Sequence, residues 1–248
     1  MDTPELIQRL RGFEYDKLSE NTRRGVPLQD LLLDHALSVR RQDLRPPSKV
    51  CWFHGTRVAP GTTFGDGILP LSRSLEHIWA FLWGIARQWS SPLEWAAFRA
   101  NMPGQGGAQY HRKLACGLAD GPYAVLVREV LLRPSETGSH DFLNVPEIIE
   151  DICMSYEEGL GHNLHGAFVM ATRPCIVKFV SREVRSDAVA AAVTYVHRRL
   201  RHEDLFLKCN TCFNGEGRRI SPEHILKVDW PESQQTAEGE AGLDLLST

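Results

Sequence analysis

The run Cys51-Trp52-Phe53-His54-Gly55-Thr56-Arg57 joins an apolar segment to side chains that can do chemistry. The apolar part predicts a short buried strand that ends at His54. Glycine follows it, and a ligand can approach a glycine main chain closely because there is no Cβ atom. The Thr56 hydroxyl and the Arg57 guanidinium then offer hydrogen-bond donors to a ribose or a phosphate. The run therefore predicts a small-molecule binding site.

This run resembles the first motif of the ADP-ribosyltransferase superfamily, in the branch that opens with His-Gly-Thr or His-Gly-Ser. That branch includes poly-ADP-ribose polymerases, diphtheria-like toxins and tRNA 2′-phosphotransferases. Two further segments fit the resemblance. Residues 67–71 resemble the Gly-Ile-Leu segment that follows the motif, and residues 121–130 resemble the central strand, with Tyr123 before an aliphatic run.

The resemblance implies an α+β fold with a split antiparallel β core and NAD bound between two small sheets. It implies NAD-dependent ADP-ribosyl transfer, or NAD hydrolysis at the same site, with an unknown protein or nucleic acid as acceptor. A role as a bacterial toxin or defence effector follows only by analogy of fold. His54 would bond the adenosine ribose, and the Gly55 main chain would hold the nicotinamide carboxamide. The other cofactor-binding candidates are Thr56, Arg57, Ser72 and Tyr123.

The resemblance also implies a catalytic carboxylate, because the transition state of such a reaction is oxocarbenium-like. A carboxylate about 4 Å from the positive charge gains roughly 4 kcal/mol at an effective dielectric constant of about 20. That gain is close to a thousandfold in rate. Glu216 is one candidate, since it precedes a terminal Ile-x-Pro-Glu-x-Ile segment. Glu147 and Glu150 are others, because apolar neighbours could raise the pKa of one of them, and Asp141 is a further alternative.

Three other polar groups have a functional and a structural interpretation. Ser72 and Ser74 resemble the Ser-x-Ser element that supports a catalytic Glu, while Ser74 is also a suitable helix N-cap. His162 and His165 could bind a metal or a substrate, but a solvent-facing loop is the favoured interpretation. The Cys-x-x-Cys pair could bind zinc with two upstream histidines. Those histidines lie about 140° apart around a helix axis, so we predict no bound metal. The four residues are His197, His202, Cys209 and Cys212.

Two alternatives to ADP-ribosyl transfer stay open. A tRNA 2′-phosphotransferase-like enzyme would need a basic surface for RNA. The arginines that could supply it are Arg198, Arg199, Arg201, Arg218 and Arg219. The other alternative is a non-catalytic binding or adaptor domain, stabilised by zinc.

The elements that must position these residues can be predicted from periodicity and breakers. Residues 1–47 predict a helical N-terminal extension, 48–230 a catalytic α+β domain, and 231–248 a disordered acidic tail. The catalytic domain should contain about six strands, the clearest at 123–131 and 174–180. Ser74 should cap a helix that ends near residue 88, Pro146 and Ser186 should each open a helix, and 101–122 should include a mobile loop. A last strand should lie within 218–229.

Composition limits the classes of partner. The chain has 248 residues and a net charge of −3, which argues against a general nucleic-acid or membrane-surface binder. No segment approaches the roughly 18 apolar residues needed to cross a bilayer, and the first residues do not resemble a signal peptide. The six cysteines are scattered. We therefore expect a cytoplasmic protein with no membrane partner.

Overall fold

The computed structural model describes residues 3–14, 26–37, 48–115, 120–183 and 185–231. Apart from residue 231, the predicted acidic tail lies outside these residues. Residues 15–25 and 38–47 of the predicted N-terminal extension also lie outside them. Over the described residues, no helix is long and apolar enough to cross a membrane.

One antiparallel sheet runs through the body. Its strands in the described part of the chain are β1 (Val50–Val58), β2 (Tyr123–Val125), β3 (Arg173–Ser181), β4 (Cys212–Asn214) and β5 (Ile225–Asp229). They lie in the order β4-β2-β1-β3-β5. The α+β prediction is therefore confirmed at the level of class. In the described residues the strands form a single five-stranded sheet, where a split core of about six strands is predicted.

The described ranges contain ten α-helices. They are α1 (Thr3–Gly12), α2 (Leu28–Leu37), α3 (Leu71–Ala86), α4 (Pro92–Ala100), α5 (Gly104–Ala115), α6 (Arg128–Leu132), α7 (Pro134–Thr137), α8 (Glu147–Leu160), α9 (Leu164–Ala171) and α10 (Ser186–Leu200). Helices α1 and α2 pack on α10, in the region where a helical extension was predicted. Helices α3, α4, α5, α8 and α9 enclose an aromatic core of their own, which includes Trp79, Trp95, Phe98, Tyr156 and Phe168.

The two faces of β1 pack against different clusters. Trp52 and Val58 belong to a cluster with residues of β3 and β4, whereas Phe53 belongs to a second cluster with α6. Side chains alternate along a strand, so even-numbered residues of β1 share the Trp52 face and odd-numbered residues share the Phe53 face. The register agrees, because His54 lies opposite Val177 of the Trp52 cluster. His54 and Arg57 are therefore on opposite faces of the sheet.

The predicted strand ends are wrong in two places. β1 does not end at His54 but continues to Val58, because its last four residues pair with β3. The strand predicted at 123–131 stops at Val125, and α6 begins at Arg128. The side-chain carbonyl of Asn210 accepts hydrogen bonds from the main-chain N–H groups of residues 126 and 127, at 2.9 and 3.1 Å. These side-chain bonds satisfy main-chain N–H groups that a longer pairing of β2 with β4 could have satisfied.

The helices differ from the sequence predictions in two places. The stretch 101–122, part of which is predicted to be a mobile loop, contains α5, and residues 116–119 lie outside the described residues. Its Gly106 packs so closely on α8 that a Cβ atom would lie 2.4 Å from the Asp151 carbonyl oxygen. Helix α3 begins at Leu71, not at a cap formed by Ser74, whose hydroxyl instead donates to the Pro70 carbonyl at 3.2 Å. Gly106 therefore allows α5 and α8 to come into close contact.

Candidate functional site

His54 lies in the middle of β1 beside the segment 120–123. Its Nδ1 atom is 2.6 Å from the carbonyl oxygen of Tyr123. A carbonyl oxygen can only accept, so Nδ1 carries the proton and donates it. Burial lowers the pKa of His54 and outweighs this bond, which raises it. The ring is therefore neutral at neutral pH, and Nε2, which forms no hydrogen bond to the residues described, presents a lone pair.

The turn that carries Glu216 is hydrogen-bonded to the same segment. Gly215 N–H donates to the Pro122 carbonyl at 3.0 Å, and Gly217 N–H donates to the Gly121 carbonyl at 2.8 Å. Glu216 itself is in the left-handed region, with φ 51°. Its carboxylate is largely exposed and lies 3.6 Å from the Arg218 guanidinium. The structure thus brings the Glu216 turn and His54 to the two sides of one short segment.

Asp120 begins this segment and caps helix α3. Its carboxylate accepts from the Ser72 N–H at 2.6 Å and from the Ser72 hydroxyl at 2.9 Å. Its carbonyl accepts from the Leu71 N–H at 2.7 Å. An anion at this position satisfies free N–H groups and suits the helix dipole. A Cβ atom on Gly217 would lie 2.8 Å from Asp120 Oδ2, so this carboxylate borders the Glu216 turn.

Sequence reasoning missed Asp120, because it lies in the Gly-rich stretch 101–122, in which part of the chain is predicted to be a mobile loop and no binding residue is predicted. The available signal was an acidic residue directly before Gly121-Pro122, at the start of a strand. Ser72, predicted to bind NAD, is held by Asp120 through two hydrogen bonds.

The Tyr123 phenol has a raised pKa. Its side chain is about two-fifths exposed. Burial raises the pKa of the phenol first, and the negative charges of Glu147 and Asp120 raise it further. Glu147 starts α8 and lies 3.3 Å from Lys113 Nζ, which is 2.7 Å from the buried carboxylate of Asp151. Glu147, a second candidate acid, is therefore held by a lysine that is itself fixed by Asp151.

The other candidate acids lie away from His54. Glu150 is 3.8 Å from the Nδ1 atom of His140. Asp141 accepts from the N–H groups of Leu143 and Asn144, at 3.2 and 3.0 Å, and so stabilises a turn. Burial lowers the pKa of Arg57, and the negative charge of Asp141 partly offsets that effect.

Arg57 is occupied by main-chain and hydroxyl acceptors. Its Nη1 donates to the Leu143 carbonyl at 2.8 Å, and its Nη2 donates to the carbonyls of Val169 and Thr172 at 2.9 and 3.0 Å. Its Nε donates to the Thr172 hydroxyl at 3.0 Å. These bonds tie β1 to the ends of α9 and the α7–α8 connection. The structure gives Arg57 a structural role on the face opposite His54.

Gly55 and Thr56 are placed differently from each other. A Cβ atom on Gly55 would lie 2.9 Å from a methyl carbon of Leu131, so core packing already accounts for a glycine here. Thr56 alternates with Gly55 and shares the His54 face. Of the residues predicted from the sequence, the structure brings the His54 ring to the main chain of Tyr123, and it brings Ser72 and the Glu216 turn to the adjoining residues 120–122. The Tyr123 side chain shares the Phe53 face with Val125, opposite His54.

The Cys-x-x-Cys segment does not form a metal centre in the described residues, where no group of three or more possible ligands is arranged around one point. Burial raises the pKa of both thiols, Cys209 and Cys212. The residues between them have structural bonds. Asn210 extends the sheet past β2, and the Thr211 hydroxyl donates to Asp187 at 2.7 Å.

Comparisons with known proteins add no assignment: no family model matches the sequence, and neither a curated protein nor a solved structure matches it.

Proposed function

We propose that this chain cleaves the bond between nicotinamide and ribose in NAD and passes ADP-ribose to an acceptor or to water. The observation that supports this most is the state of His54. A neutral ring whose Nδ1–H is committed to a carbonyl leaves Nε2 as an acceptor for a ribose hydroxyl. This is the contact that the resemblance of the His54-Gly55-Thr56 run implies. The proposal includes a distant fold relation to that superfamily, within the α+β class.

The neighbouring groups fit the chemistry of this cleavage. The bond between the ribose C1′ and the nicotinamide nitrogen breaks, and its electron pair leaves with neutral nicotinamide. The ribose becomes oxocarbenium-like until water or an acceptor hydroxyl adds to C1′ and loses a proton. A carboxylate stabilises that charge more than it stabilises ground-state NAD.

Glu216 is the carboxylate that we assign to this role, with Glu147 as its competitor. The Glu216 turn is bonded directly to the segment that holds His54. Glu216 is also largely exposed, so it can reach a ligand without first losing a buried partner. Glu147 is instead within ion-pair distance of Lys113.

The test of the proposal is release of nicotinamide from NAD by the purified protein. We expect His54→Ala to lower the turnover by at least about tenfold, which is roughly 1.4 kcal/mol in the barrier. His77→Ala is the matched control, because His77 is an exposed histidine on α3, and it should keep full activity. No release by the wild-type chain, or equal release by both variants, would rule out an NAD-cleaving site at His54.

A second set of variants identifies the acid. Glu216→Gln should reduce kcat by about a hundredfold or more with little change in NAD affinity, because glutamine keeps the shape and loses the charge. Glu147→Gln and Glu150→Gln, compared under the same conditions, should retain most activity. An inactive Glu147→Gln beside an active Glu216→Gln would move the catalytic acid to the start of α8.

The RNA alternative receives less support from the charges. Arg199 lies 3.6 Å from Glu129, and Arg198 and Arg201 lie 3.1 and 2.9 Å from Glu203. These arginines are therefore partly neutralised and do not form a free basic surface for phosphates.

A further inference from the structure

The N-terminal helices contact the body through an apolar surface on α10. Leu10, Phe13 and Leu32 from the N-terminal side are buried there against Val193 of α10. The partly buried residues around them are apolar too: Leu28, Leu31, Val196 and Leu200. We call these eight residues, together with His197, the docking face.

His197 is the one strongly polar ring in the docking face. Its side chain is only 5% exposed. The ring packs against the edge of Phe13, with 5.5 Å between centroids and an interplanar angle of 82°. Neither Nδ1 nor Nε2 forms a hydrogen bond to a residue that the structure describes. A protonated ring would therefore place a poorly compensated charge in an apolar contact.

The surrounding groups do not remove this cost. Burial has the largest effect and lowers the pKa of His197. The Phe13 main chain, which is near the ring but outside hydrogen-bond geometry, raises this pKa, as does Glu203, whereas Arg201 and Arg198 lower it. Other ionisable residues of the packed elements are Arg11, Glu14, Asp30, Asp34 and His35 on the N-terminal side, and Asp204 and Lys208 after α10. His35 contacts the Phe13 ring at 5.1 Å between centroids, so a test has to separate it from His197.

We propose that His197 makes the docking of α1 and α2 on α10 sensitive to pH, so that acidification releases the two helices. In the released state, His197 titrates near its ordinary pKa of about 6.5. Above that pH the ring is neutral in both states, and pH has no effect on docking. Below it the released state takes up a proton that the docked state does not. Docking then weakens by up to about tenfold per pH unit, until the lower pKa of the docked state is reached.

Amide hydrogen exchange of the full chain at about pH 7.5 and pH 5.0, corrected for the intrinsic exchange rate, measures this release directly. We expect protection of the α1 and α2 amides to fall by at least about tenfold at the lower pH. Protection in β3 and α8 should stay constant, which distinguishes release from general acid unfolding. Unchanged protection of α1 and α2 would overturn the proposal.

His197→Phe keeps an aromatic ring against Phe13 but cannot take up a proton, so it should abolish the pH dependence. His202→Asn is the matched control, since His202 is exposed in the following turn and asparagine tolerates its positive φ of 56°. His35→Gln should leave the effect in place. If His197→Phe responds to pH like the wild type, or if His35→Gln alone removes the response, the proposal is wrong.

A titration of the wild-type chain tests the proposal even if the His197→Phe variant does not fold. Ring-proton chemical shifts of His197, followed by NMR, should give a pKa below the ordinary value of about 6.5. A pKa at or above that value would overturn the proposal without any substitution.

Discussion

Arg57 shows that one residue of a binding motif can stabilise the fold while its neighbour His54 remains a candidate for ligand binding. Its type and position after His54 fit phosphate binding, yet its guanidinium donates four hydrogen bonds to three residues, which lie in the α7–α8 connection and at the C-terminal end of α9. Arginine suits this role because its fixed, planar set of donors can reach several carbonyls at once. The motif therefore divides across the sheet, with His54 on one face and Arg57 on the other.

Replacement of Arg57 by lysine should lower the free energy of unfolding by roughly 2 kcal/mol or more, because one ammonium group cannot satisfy these separated acceptors. Urea denaturation measures the change. The Michaelis constant for NAD of the folded fraction should stay close to that of the wild type. A stable Arg57→Lys variant with weakened NAD binding would instead indicate that Arg57 binds NAD.

At the scale of elements, the close contact between α5 and α8 depends on glycines. A Cβ atom on Gly106 would lie 2.4 Å from the Asp151 carbonyl oxygen and 2.6 Å from the Ser155 nitrogen. Both are main-chain atoms that cannot move away as a flexible side chain can. The same contact positions Lys113 between Glu147 and Asp151, so it also shapes the candidate site.

Gly106→Ala should therefore destabilise the protein by about 1–3 kcal/mol through overpacking. Gly84→Ala is the matched control, since Gly84 also lies within a helix and a Cβ atom there would meet nothing within 4 Å. That substitution should stabilise the protein by roughly 0.5–1 kcal/mol. Thermal or urea unfolding of the two variants side by side gives both values, and a neutral Gly106→Ala would show that α5 and α8 can separate without cost.

These elements also show what could be predicted from the sequence. The run 174–180 predicts β3 within a residue at each end, because its side chains are mostly buried on both faces and leave a continuous apolar signal. β1 was predicted too short, because Gly55 and Arg57 interrupt the apolar run although their main chain pairs with β3. The α5 helix was missed since glycines that reduce helix propensity are, at this contact, required by packing.

The candidate site was only partly predictable for a similar reason. His54 stood out by residue type and by its place after an apolar run. Asp120 did not, because its role depends on Ser72, which is far from it in sequence and close only after folding. The bonds between 121–122 and 215–217 likewise depend on a pairing of β2 with β4 that no local pattern shows.

At the scale of the whole molecule, the longest ladder of the sheet has a consequence for the order of folding. β1 pairs with β3 over nine positions, although the paired residues are more than a hundred residues apart in the chain. Between them lies almost the whole aromatic helical core around Trp79 and Tyr156. On a ribosome, β1 therefore emerges long before its partner, while helices α3 to α9 have their mutual contacts available earlier. Closing so long a loop costs entropy, and a folded segment between the two strands reduces that cost.

Pulse-labelled hydrogen exchange during refolding tests this order. The amides of α8 should become protected before those of β1, and simultaneous protection would contradict the order. The helices that separate the two strands in sequence would then act as the template that brings them together.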